Sequence, residues 1–407
     1  MKFFKLLIVF LSLGLPVFAQ DSQPTPIPGQ YIVTLKATAA IPVCLQETAN
    51  DSREQIVQIN QIKRDANLTK LSQTRQSANI GEENIIAVFA DVLVGFSAKL
   101  TPAEVSKLSE NPDVEGVYQD YYIQLDPQAL EEKPGDYVPE GQTVPCAITN
   151  AGGFKKATSG NWIWILDTGI DVDHPDLTVG DLFPYAKSFI PGESHDDGNG
   201  HGTHVAGIAA AKNNGIGIVG VSAGALVIPV KVLSNGGMAS FTYVIQGLNH
   251  VSVYDKFNDV VNLSLGAYPV NNCQNSNPAL KNAILNLGAN GTWVCIAAGN
   301  NGAQATLCSP GCINGPKVFT VGGTTCSGGC YTSSNWGSTV VDWVATGVNV
   351  YSTYKNGGYA TLSGTSQATP VVAGIIHSLG GPPVSGGTVT CGNQSVQPAA
   401  YKKAKRQ

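Results

Sequence analysis

Five short and almost continuously apolar segments, separated by stretches with helical patterning, run through the second half of the chain. They are Trp162 to Leu166, Ala225 to Val232, Val260 to Leu265, Thr292 to Ala298 and Val318 to Gly322. A strand is apolar at every residue only when both of its faces are covered. Strands joined by crossover helices run parallel. The pattern therefore predicts an α/β domain with a mostly parallel central sheet and helices on both faces.

A smaller unit with a different pattern precedes this domain. Strands are predicted at Gln30 to Ala37, Ile85 to Phe89, Gly95 to Leu100 and Val114 to Tyr118, with a polar helix over about 47–76 between the first two. A second helix is predicted from Thr101, because Thr101, Pro102 and Glu104 suit the cap, the first turn and the third helical position. The order predicts a small α+β domain of the ferredoxin-like βαββαβ type.

The first residues predict export from the cell. Lys2 and Lys5 flank an apolar run from Leu6 to Leu15, and small residues at and before Ala19 suit a signal peptidase. The run is shorter than the roughly 20 residues that span a bilayer. Residues 1–19 are therefore predicted to be a signal peptide rather than a membrane anchor, and we expect a secreted, extracellular protein.

Composition narrows the classes of partner. Hydrophobic residues make up 43% of the 407, charged residues 13%, and the net charge is −5. Such a chain is globular rather than disordered. The mild net charge gives no reason to expect nucleic acid or an anionic membrane as a partner. We expect a monomer without an organic cofactor.

Proline-rich and glycine-rich stretches indicate the domain boundaries. The predicted division is a signal peptide (1–19), a first domain (20–125), a linker (126–140), a large domain (141–385) and a C-terminal tail (386–407). The linker holds three prolines and several acids without periodicity, which favours exposure, with an ordered loop packed on the large domain as the alternative. The tail ends in four basic residues and is predicted to be a frayed terminus rather than a binding patch.

Nine cysteines in an exported chain indicate disulfide bonds more than metal ligands. Cys44 lies far upstream of the others. The remaining eight form an even set: Cys146, Cys273, Cys295, Cys308, Cys312, Cys326, Cys330 and Cys391. The spacings of Cys308 with Cys312 and of Cys326 with Cys330 would also suit zinc, but no histidine lies near them, which makes zinc the weaker alternative. The connectivity stays open.

Three segments carry candidate catalytic residues. Asp167 ends the first apolar strand in IWILDTG, His201 follows a glycine-rich loop in DDGNGHGTHVAG, and Ser366 stands near the start of a predicted helix (365–376) in LSGTSQATP. Each has a structural alternative, since acids stabilise turns and serines cap helices. Together they supply a nucleophile, a base and an acid that orients the base. His204 is predicted to be a packed neighbour, because the zinc-protease spacing is missing.

These segments carry a family resemblance. DTGIDVDHPDL, NGHGTHVAG, NLSLG, AAGN and SGTSQATP resemble, in this order, the signature blocks of subtilisin-like serine proteases over roughly residues 141–379. Residues 30–120 are similar to the inhibitory propeptide of that family, on looser patterns such as YIVTLK and GFSAKLT. The resemblance implies a secreted serine endopeptidase that hydrolyses peptide bonds through an acyl-enzyme intermediate. It also implies a self-processed precursor that is inhibited by its own propeptide.

The resemblance also implies residue roles. Asp167, His201 and Ser366 would form the catalytic triad, and Asn300 would stabilise the oxyanion with the backbone N–H of Ser366. Ser264, Leu265 and Gly266 would form the edge that pairs with an extended substrate, with ordinary sheet structure as the alternative. Ala298 and Gly299 would also bind the substrate.

A calcium site is a further expectation. Lys212 to Ile218 resembles the high-affinity calcium loop of bacterial subtilisins, and Gly141 to Pro145 resembles their mature N-terminus. Calcium takes six to eight oxygen ligands. The implied set is the carboxylate of Asp176, the carboxamides of Gln142 and Asn214, and the carbonyls of Lys212, Ile216 and Ile218. The alternative is an ordinary surface loop, with Asp176 capping a turn.

Three positions depart from the family pattern. Gln367 stands where Met is usual, Val371 where His is usual and Cys146 where an aromatic residue is common.

An α/β-hydrolase esterase needs an acid after its serine, and no Asp or Glu follows Ser366. A peptide-binding pseudoprotease is the remaining alternative, and the intact triad and Asn300 argue against it.

Overall fold

The computed structural model describes residues 24–36, 52–125, 131–133, 141–270, 273, 277–391 and 399–406. The first domain consists of β1 (Pro26–Leu35), α1 (Arg53–Ala78), β2 (Ile85–Phe89), β3 (Gly95–Lys99), α2 (Pro102–Ser109) and β4 (Val114–Gln124). Its strands form an antiparallel sheet in the order β4-β1-β3-β2. The ferredoxin-like prediction is confirmed. The predicted signal peptide and Cys44 lie outside the described residues.

Both helices of the first domain begin at a capping box. Thr101 and Glu104 bond reciprocally at the start of α2, as the sequence predicts. Ser52 and Gln55 do so at the start of α1, which was not predicted. Helix α1 ends at Asn79, whose φ of 60° terminates the helical backbone. The observed α1 therefore begins and ends slightly later than the predicted range of about 47–76.

The large domain contains most of the remaining elements. They are β5 (Glu131–Lys133), α3 (Cys146–Asn150), β6 (Lys155–Lys156), β7 (Ile163–Asp167), β8 (Thr178–Val179), β9 (Lys187–Ser188), α4 (His201–Ala210), β10 (Ser222–Ala223), β11 (Leu226–Lys231), β12 (Met238–Ser240), α5 (Phe241–Tyr254), β13 (Val260–Leu263), α6 (Pro278–Ala289), β14 (Trp293–Ala297), β15 (Val318–Thr324), β16 (Val341–Thr346), β17 (Val350–Tyr354), β18 (Gly358–Leu362), α7 (Thr365–Leu379), β19 (Val384–Cys391) and β20 (Ala399–Lys405). The main sheet has the order β19-β20-β16-β15-β14-β13-β7-β11-β8. All of its pairings except β19 with β20 are parallel.

Strand β7 shows why the predicted strands are apolar throughout. Trp164 and Leu166 pack into the core formed with α5 and α6. Ile163 and Ile165 point to the opposite core, which includes residues of α4. Because successive side chains of a strand point to opposite faces, a strand covered on both sides needs apolar residues at every position. The α/β prediction is confirmed.

The predicted C-terminal tail belongs to the sheet, so the prediction of a frayed terminus is wrong. Strands β19 and β20 pair as a hairpin, and β20 pairs with β16 through Lys403 and Val344. A disulfide joins Cys330 to Cys391, and the backbone N–H of Arg406 donates to Ala151 O at 2.7 Å. A polar edge hairpin lacks the apolar run that identifies a buried strand.

Three disulfides confirm the oxidised framework: Cys146–Cys326, Cys273–Cys312 and Cys330–Cys391. Cys312, Cys326 and Cys330 are each bonded to a distant cysteine. They are therefore not available as zinc ligands, which rules out the zinc site considered for the Cys308/Cys312 and Cys326/Cys330 spacings. Cys295 and Cys308 are buried and lie outside these three bonds. In the part of the chain that the structure describes, no helix is both long and apolar enough to cross a bilayer.

Strand pairing joins the first domain and the segment after it to the large domain. Strand β4 pairs antiparallel with β12 of the large domain, and the N–H of Leu125 donates to Gly237 O at 3.0 Å. Residues 131–133 form β5, which pairs antiparallel with β18. This part of the linker is therefore packed on the large domain. That agrees with the alternative prediction of an ordered loop rather than with the prediction of an exposed linker.

Candidate active site

Strand β7 and helix α4 bring Asp167 and His201 together. Nδ1 of His201 lies 2.8 Å from Oδ1 of Asp167, and both residues are buried. The same carboxylate oxygen accepts the N–H of Thr168 at 2.7 Å. A Cβ on Gly202 would lie 2.0 Å from Gly169 O, so glycine is required for this close approach. A proton on Nδ1 leaves Nε2 as a base.

The buried carboxylate of Asp197 is hydrogen-bonded both to the residue that follows Asp167 and to residues on either side of His201. It accepts hydrogen bonds from the Thr168 hydroxyl at 2.9 Å, from the N–H of Gly200 at 2.9 Å and from the hydroxyl of Thr203 at 2.6 Å. Burial raises the pKa of Asp197. Sequence reasoning missed this residue. Its only signal is an acid inside a glycine-rich loop that is full of N–H donors.

Ser366 lies in the first turn of α7, which packs against α4. Its hydroxyl donates to Ser264 O at 3.2 Å, while the hydroxyl of Ser264 donates to Ser366 O at 2.8 Å. Ser366 is 6% exposed. Its position in the first turn places it beside backbone N–H groups at the positive end of the helix dipole.

Asn300 follows β14 and is oriented by Thr365. Its Oδ1 accepts the N–H of Thr365 at 2.7 Å and the hydroxyl of Thr365 at 3.1 Å. The N–H of Gly299 donates to the same hydroxyl at 3.1 Å. Because Oδ1 is engaged as an acceptor, Nδ2 is the atom of this carboxamide that can donate to a developing oxyanion. Thr365 was not predicted, and only its place next to the serine could have indicated it.

A cavity of about 360 Å³ joins Ser366 and Asn300 to the predicted substrate edges. Ser264, Leu265, Gly266 and Gly299 line it, as expected. Ala298 does not: it is fully buried behind the cavity, where its N–H donates to Val321 O at 3.0 Å and its carbonyl accepts Asn335 Nδ2 at 2.9 Å. The end of β4 completes the wall with Tyr122, Ile123, Gln124 and Leu125.

The six predicted calcium ligands lie in a different part of the large domain. Nε2 of Gln142 donates to Lys212 O at 2.7 Å and to Ile218 O at 3.0 Å. Two carbonyls predicted to bind calcium therefore converge on this carboxamide. Oδ1 of Asn214 accepts the N–H of Ile216 at 3.2 Å. Rotating the Gln142 carboxamide would exchange its nitrogen for an oxygen at the same place.

Asp176 is the acid of this group and is fully buried. Oδ2 accepts the N–H of Ile218 at 2.9 Å and the hydroxyl of Tyr359 at 3.3 Å. Oδ1 has no hydrogen-bond partner among the described residues. Burial raises the pKa of Asp176 to about 6, against a smaller opposing effect of hydrogen bonds, first among them the one from the N–H of Ile218. An unpartnered carboxylate oxygen beside converging carbonyls fits a hard cation.

Comparison with known proteins decides the family. Residues 158–379 match the Subtilase family, and residues 30–126 match Peptidase inhibitor I9. The chain belongs to the subtilase family. It is a serine protease with an inhibitory propeptide, and its substrates are peptides.

Curated relatives carry names that agree with this family. The chain is 36% identical over 289 residues to M-protease of Shouchella clausii (strain KSM-K16), covering 69% of this chain and 67% of that protein. It is 41% identical over 221 residues to Subtilisin Savinase of Lederbergia lenta, covering 53% and 74%. A solved structure of a cold adapted subtilisin-like serine proteinase is 33% identical, with a TM-score of 0.47, and the alignment covers 55% of this chain and 77% of that one.

The departures from the subtilase pattern have different structural settings. Cys146 is used in the disulfide with Cys326. Val371 packs in an apolar cluster of α3 and α7. Gln367 is fully buried, and neither polar atom of its side chain has a hydrogen-bond partner among the described residues. No contact in the structure explains glutamine at this position.

Proposed function

We propose that Asp167, His201 and Ser366 are the catalytic triad of this subtilase. The supporting observation is the buried 2.8 Å contact between His201 Nδ1 and Asp167 Oδ1, together with Ser366 in the cavity. His201 Nε2 takes the proton of the Ser366 hydroxyl as Oγ attacks the substrate carbonyl carbon. The imidazolium then gives that proton to the leaving amine, and Asp167 stabilises its positive charge. Water hydrolyses the acyl-enzyme by the same steps.

Asn300 is proposed to stabilise the negative charge that develops on the carbonyl oxygen. Nδ2 of Asn300 and the backbone N–H of Ser366 are its two donors. Thr365 supports this role, because its two hydrogen bonds to Oδ1 hold the carboxamide before substrate arrives. Preorganised donors of this kind lower the barrier without reorganisation during the reaction.

Substitution of the nucleophile tests the triad. Ser366→Ala is expected to fold and to lower turnover of casein by about a million-fold, which is the scale found in subtilisin itself. The parent should be labelled by a fluorophosphonate at Ser366, as peptide mapping would show. Ser363→Ala, three residues away in the same segment, is the matched control and should keep both activity and labelling. Near-normal turnover in Ser366→Ala would refute the assignment.

We also propose that the precursor is cut by its own active site between the first and the large domain. The pairings of β4 with β12 and of β5 with β18 support this, because they hold the segments before and after residues 126–130 on the large domain, and β4 ends in the wall of the cavity beside Ser366. Ser366→Ala is then expected to accumulate as an uncut precursor. Mass spectrometry without reduction would give the mature N-terminus and the disulfides together. Maturation of this variant without added protease would exclude self-processing.

Export and oligomeric state complete the proposal. We propose that residues 1–19 direct secretion and are removed, and that the mature enzyme is an extracellular monomer. Detection of the chain in culture medium, with an N-terminus that lies after residue 19, would support export. Light scattering of the mature protein would test the monomer.

Calcium is proposed to bind between the mature N-terminus and the loop 212–218. Asp176, Gln142 and Asn214 would hold it with side-chain oxygens, and Lys212, Ile216 and Ile218 with carbonyls. The ion would neutralise Asp176 and cross-link these segments. At a thousand times its dissociation constant, calcium would stabilise the folded state by about 4 kcal/mol. A thermal midpoint that is equal in excess calcium and in excess chelator would remove this proposal, and Asp176→Asn should blunt the response.

A further inference from the structure

The guanidinium group of Arg53, at the start of α1 in the propeptide, lies in a recess of the catalytic domain. Nη1 donates to Asp259 Oδ2 at 2.8 Å and to Tyr254 O at 2.8 Å, and Nη2 donates to Asp259 Oδ1 at 3.0 Å. Cζ lies 3.4 Å from the centre of the Trp162 ring. The recess thus offers acceptors to the edge of a planar cation and an aromatic ring to its face. These contacts suit a guanidinium group better than an ammonium group.

The recess is built from the catalytic domain's own contacts. The fully buried carboxylate of Asp259 accepts the N–H of Trp162 at 3.0 Å, the indole Nε1 of Trp164 at 2.9 Å and the N–H of Lys256 at 3.1 Å. Tyr254 is the last residue of α5. Its carbonyl therefore belongs to the helix end that lacks internal donors and carries the negative end of the dipole. Because these features do not involve the propeptide, they remain when it leaves.

The recess lies at the opposite edge of the sheet from the proposed active site. Asp259 immediately precedes β13 and Trp162 immediately precedes β7, so both lie at the amino-terminal ends of parallel strands. Asp167 is the last residue of β7. A strand rises about 3.3 Å per residue, which separates Trp162 from Asp167 by roughly 16 Å. A ligand can therefore fill the recess without entering the cavity beside Ser366.

The place of Arg53 in α1 indicates a role in binding rather than in helix stability. Arg53 is the first residue of α1, where a cation faces the positive end of the helix dipole and destabilises the helix. Asn60, two turns further on, is buried, and its Nδ2 donates to Ser252 O of the catalytic domain at 2.9 Å. The face of α1 that carries Arg53 is therefore held against the enzyme, and the contact with Asp259 accounts for an arginine that local propensity disfavours.

We propose that the catalytic domain carries a guanidinium-binding site, formed by Asp259, Trp162 and Tyr254, that is separate from the active site. Its occupant in the precursor is Arg53. After the chain between the two domains has been cut, this site retains the propeptide through Arg53. Once the propeptide has left, the site is open to another arginine side chain or to a free alkylguanidinium ion. The inference depends on the presence of the propeptide and not on which residues form the catalytic triad.

The test uses the full-length Ser366→Ala chain as the parent, cut by an added protease between the first and the large domain. Native mass spectrometry at increasing dilution counts only intact parts and gives their Kd, whatever the triad is. Arg53→Ala should weaken the complex by about a hundredfold, because it removes one partner of a buried, hydrogen-bonded charge pair. Arg53→Lys keeps the charge without the planar pair of donors and should weaken it by about tenfold.

Arg75→Ala is the matched control, because Arg75 lies on the same helix and its guanidinium donates to Glu82 of the propeptide itself at 3.2 Å. This variant should leave the Kd within about twofold of the parent value. Ethylguanidinium chloride should weaken the parent complex more than an equal concentration of ethylammonium chloride, and this difference should vanish in Arg53→Ala. An Arg53→Lys complex as tight as the parent, or equal effects of the two salts on the parent, would overturn the guanidinium site and leave the proposed triad unaffected.

Discussion

The propeptide and the catalytic domain bury their apolar residues in different ways. Every residue of β7, β13 and β14 in the catalytic domain is buried within that domain's own layers. In the propeptide, Ile32, Phe89 and Ile123 instead belong to the same apolar cluster as Val244 and Leu287 of the enzyme. The propeptide has an apolar cluster of its own, but the face that carries these three residues needs the enzyme to cover it, whereas the enzyme's main sheet is covered by its own helices.

The polar contacts show the same difference: those across the interface involve both domains, whereas those of the active site involve the catalytic domain alone. Oδ1 of Asn249 on α5 accepts the N–H groups of Ala90, Asp91 and Val92 at 3.1, 2.9 and 3.2 Å. The network of Asp197, by contrast, lies wholly inside the catalytic domain. Removing the propeptide thus leaves the catalytic network intact but deprives three propeptide N–H groups of their acceptor.

The largest expected effect of this difference is on the stability of the isolated propeptide. Residues 20–125 expressed by themselves should lack cooperative unfolding, because a small domain without part of its core is marginal. Addition of Ser366→Ala enzyme that has been separated from its own propeptide by an added protease should restore helical and strand signal in circular dichroism. The enzyme alone should keep a cooperative transition, which serves as the control. A sharp thermal transition of the isolated propeptide would contradict the comparison.

Asn249 gives the next largest effect. Asn249→Ala leaves three buried donors without their acceptor, which should cost about 3 kcal/mol, or roughly a hundredfold in the inhibition constant of added propeptide. Asn286→Ala is the matched control at the same interface, because Asn286 makes a single hydrogen bond to Val92 O at 2.9 Å. It should weaken inhibition by roughly tenfold or less. Equal effects of the two variants would show that Asn249 has no special role.

Two propeptide carboxyl groups make the interface sensitive to pH. Burial raises the pKa of Asp91 and of Asp120 in the complex. Asp120 Oδ2 accepts the hydroxyl of Thr242 from the enzyme at 2.6 Å. Because the complex holds these protons more tightly than the free propeptide, affinity should be highest near the ordinary carboxyl pKa of 3.8 and should fall as pH rises through the raised values.

The inhibition constant measured from about pH 4 to about pH 8 tests this sign. Each unit by which the pKa is raised corresponds to about a tenfold loss of affinity. Asp120→Asn cannot ionise and should give a flatter profile. Affinity that increases with pH would contradict the assignment.

The proposed catalytic residues could be predicted because their positions follow from local rules. Asp167 ends a strand that is apolar at every residue, and His201 begins a helix after glycines. Their meeting follows from the parallel sheet, since the carboxyl ends of its strands share one edge. For such residues the local sequence pattern is nearly sufficient to predict the position in the fold.

The remaining features depend on contacts between distant segments. Cys312 lies four residues from Cys308 but bonds to Cys273, which no spacing rule could indicate. Asp197 is recognisable only when the Thr168 hydroxyl is seen beside it. The C-terminal hairpin escaped prediction because its first strand, β19, is largely exposed and therefore carries no apolar run. In each case the decisive energy comes from tertiary packing rather than local propensity.

The smallest expected effect concerns the proposed calcium site, which lies in the catalytic domain and should therefore leave propeptide affinity unchanged when calcium binds. The pKa of Asp176 is raised to about 6 without the ion. Its carboxylate destabilises the calcium-free enzyme as pH rises from 3.8 towards 6, and calcium must bind that ionised form. The increase in Tm with calcium should thus be full above about pH 6 and fade as pH falls through that value.

Thermal unfolding in calcium and in chelator, measured above and below pH 6, gives this difference directly. Asp176→Asn removes the titrating group while keeping the shape of the side chain, so any remaining calcium response should no longer depend on pH in this range. The inhibition constant of the propeptide should be equal in calcium and in chelator. A calcium response that is equally large below pH 6 would show that Asp176 is not a ligand. A propeptide affinity that changes with calcium would show that the two regions are coupled, because an ion that binds the enzyme body alone shifts only the enzyme's own folding equilibrium.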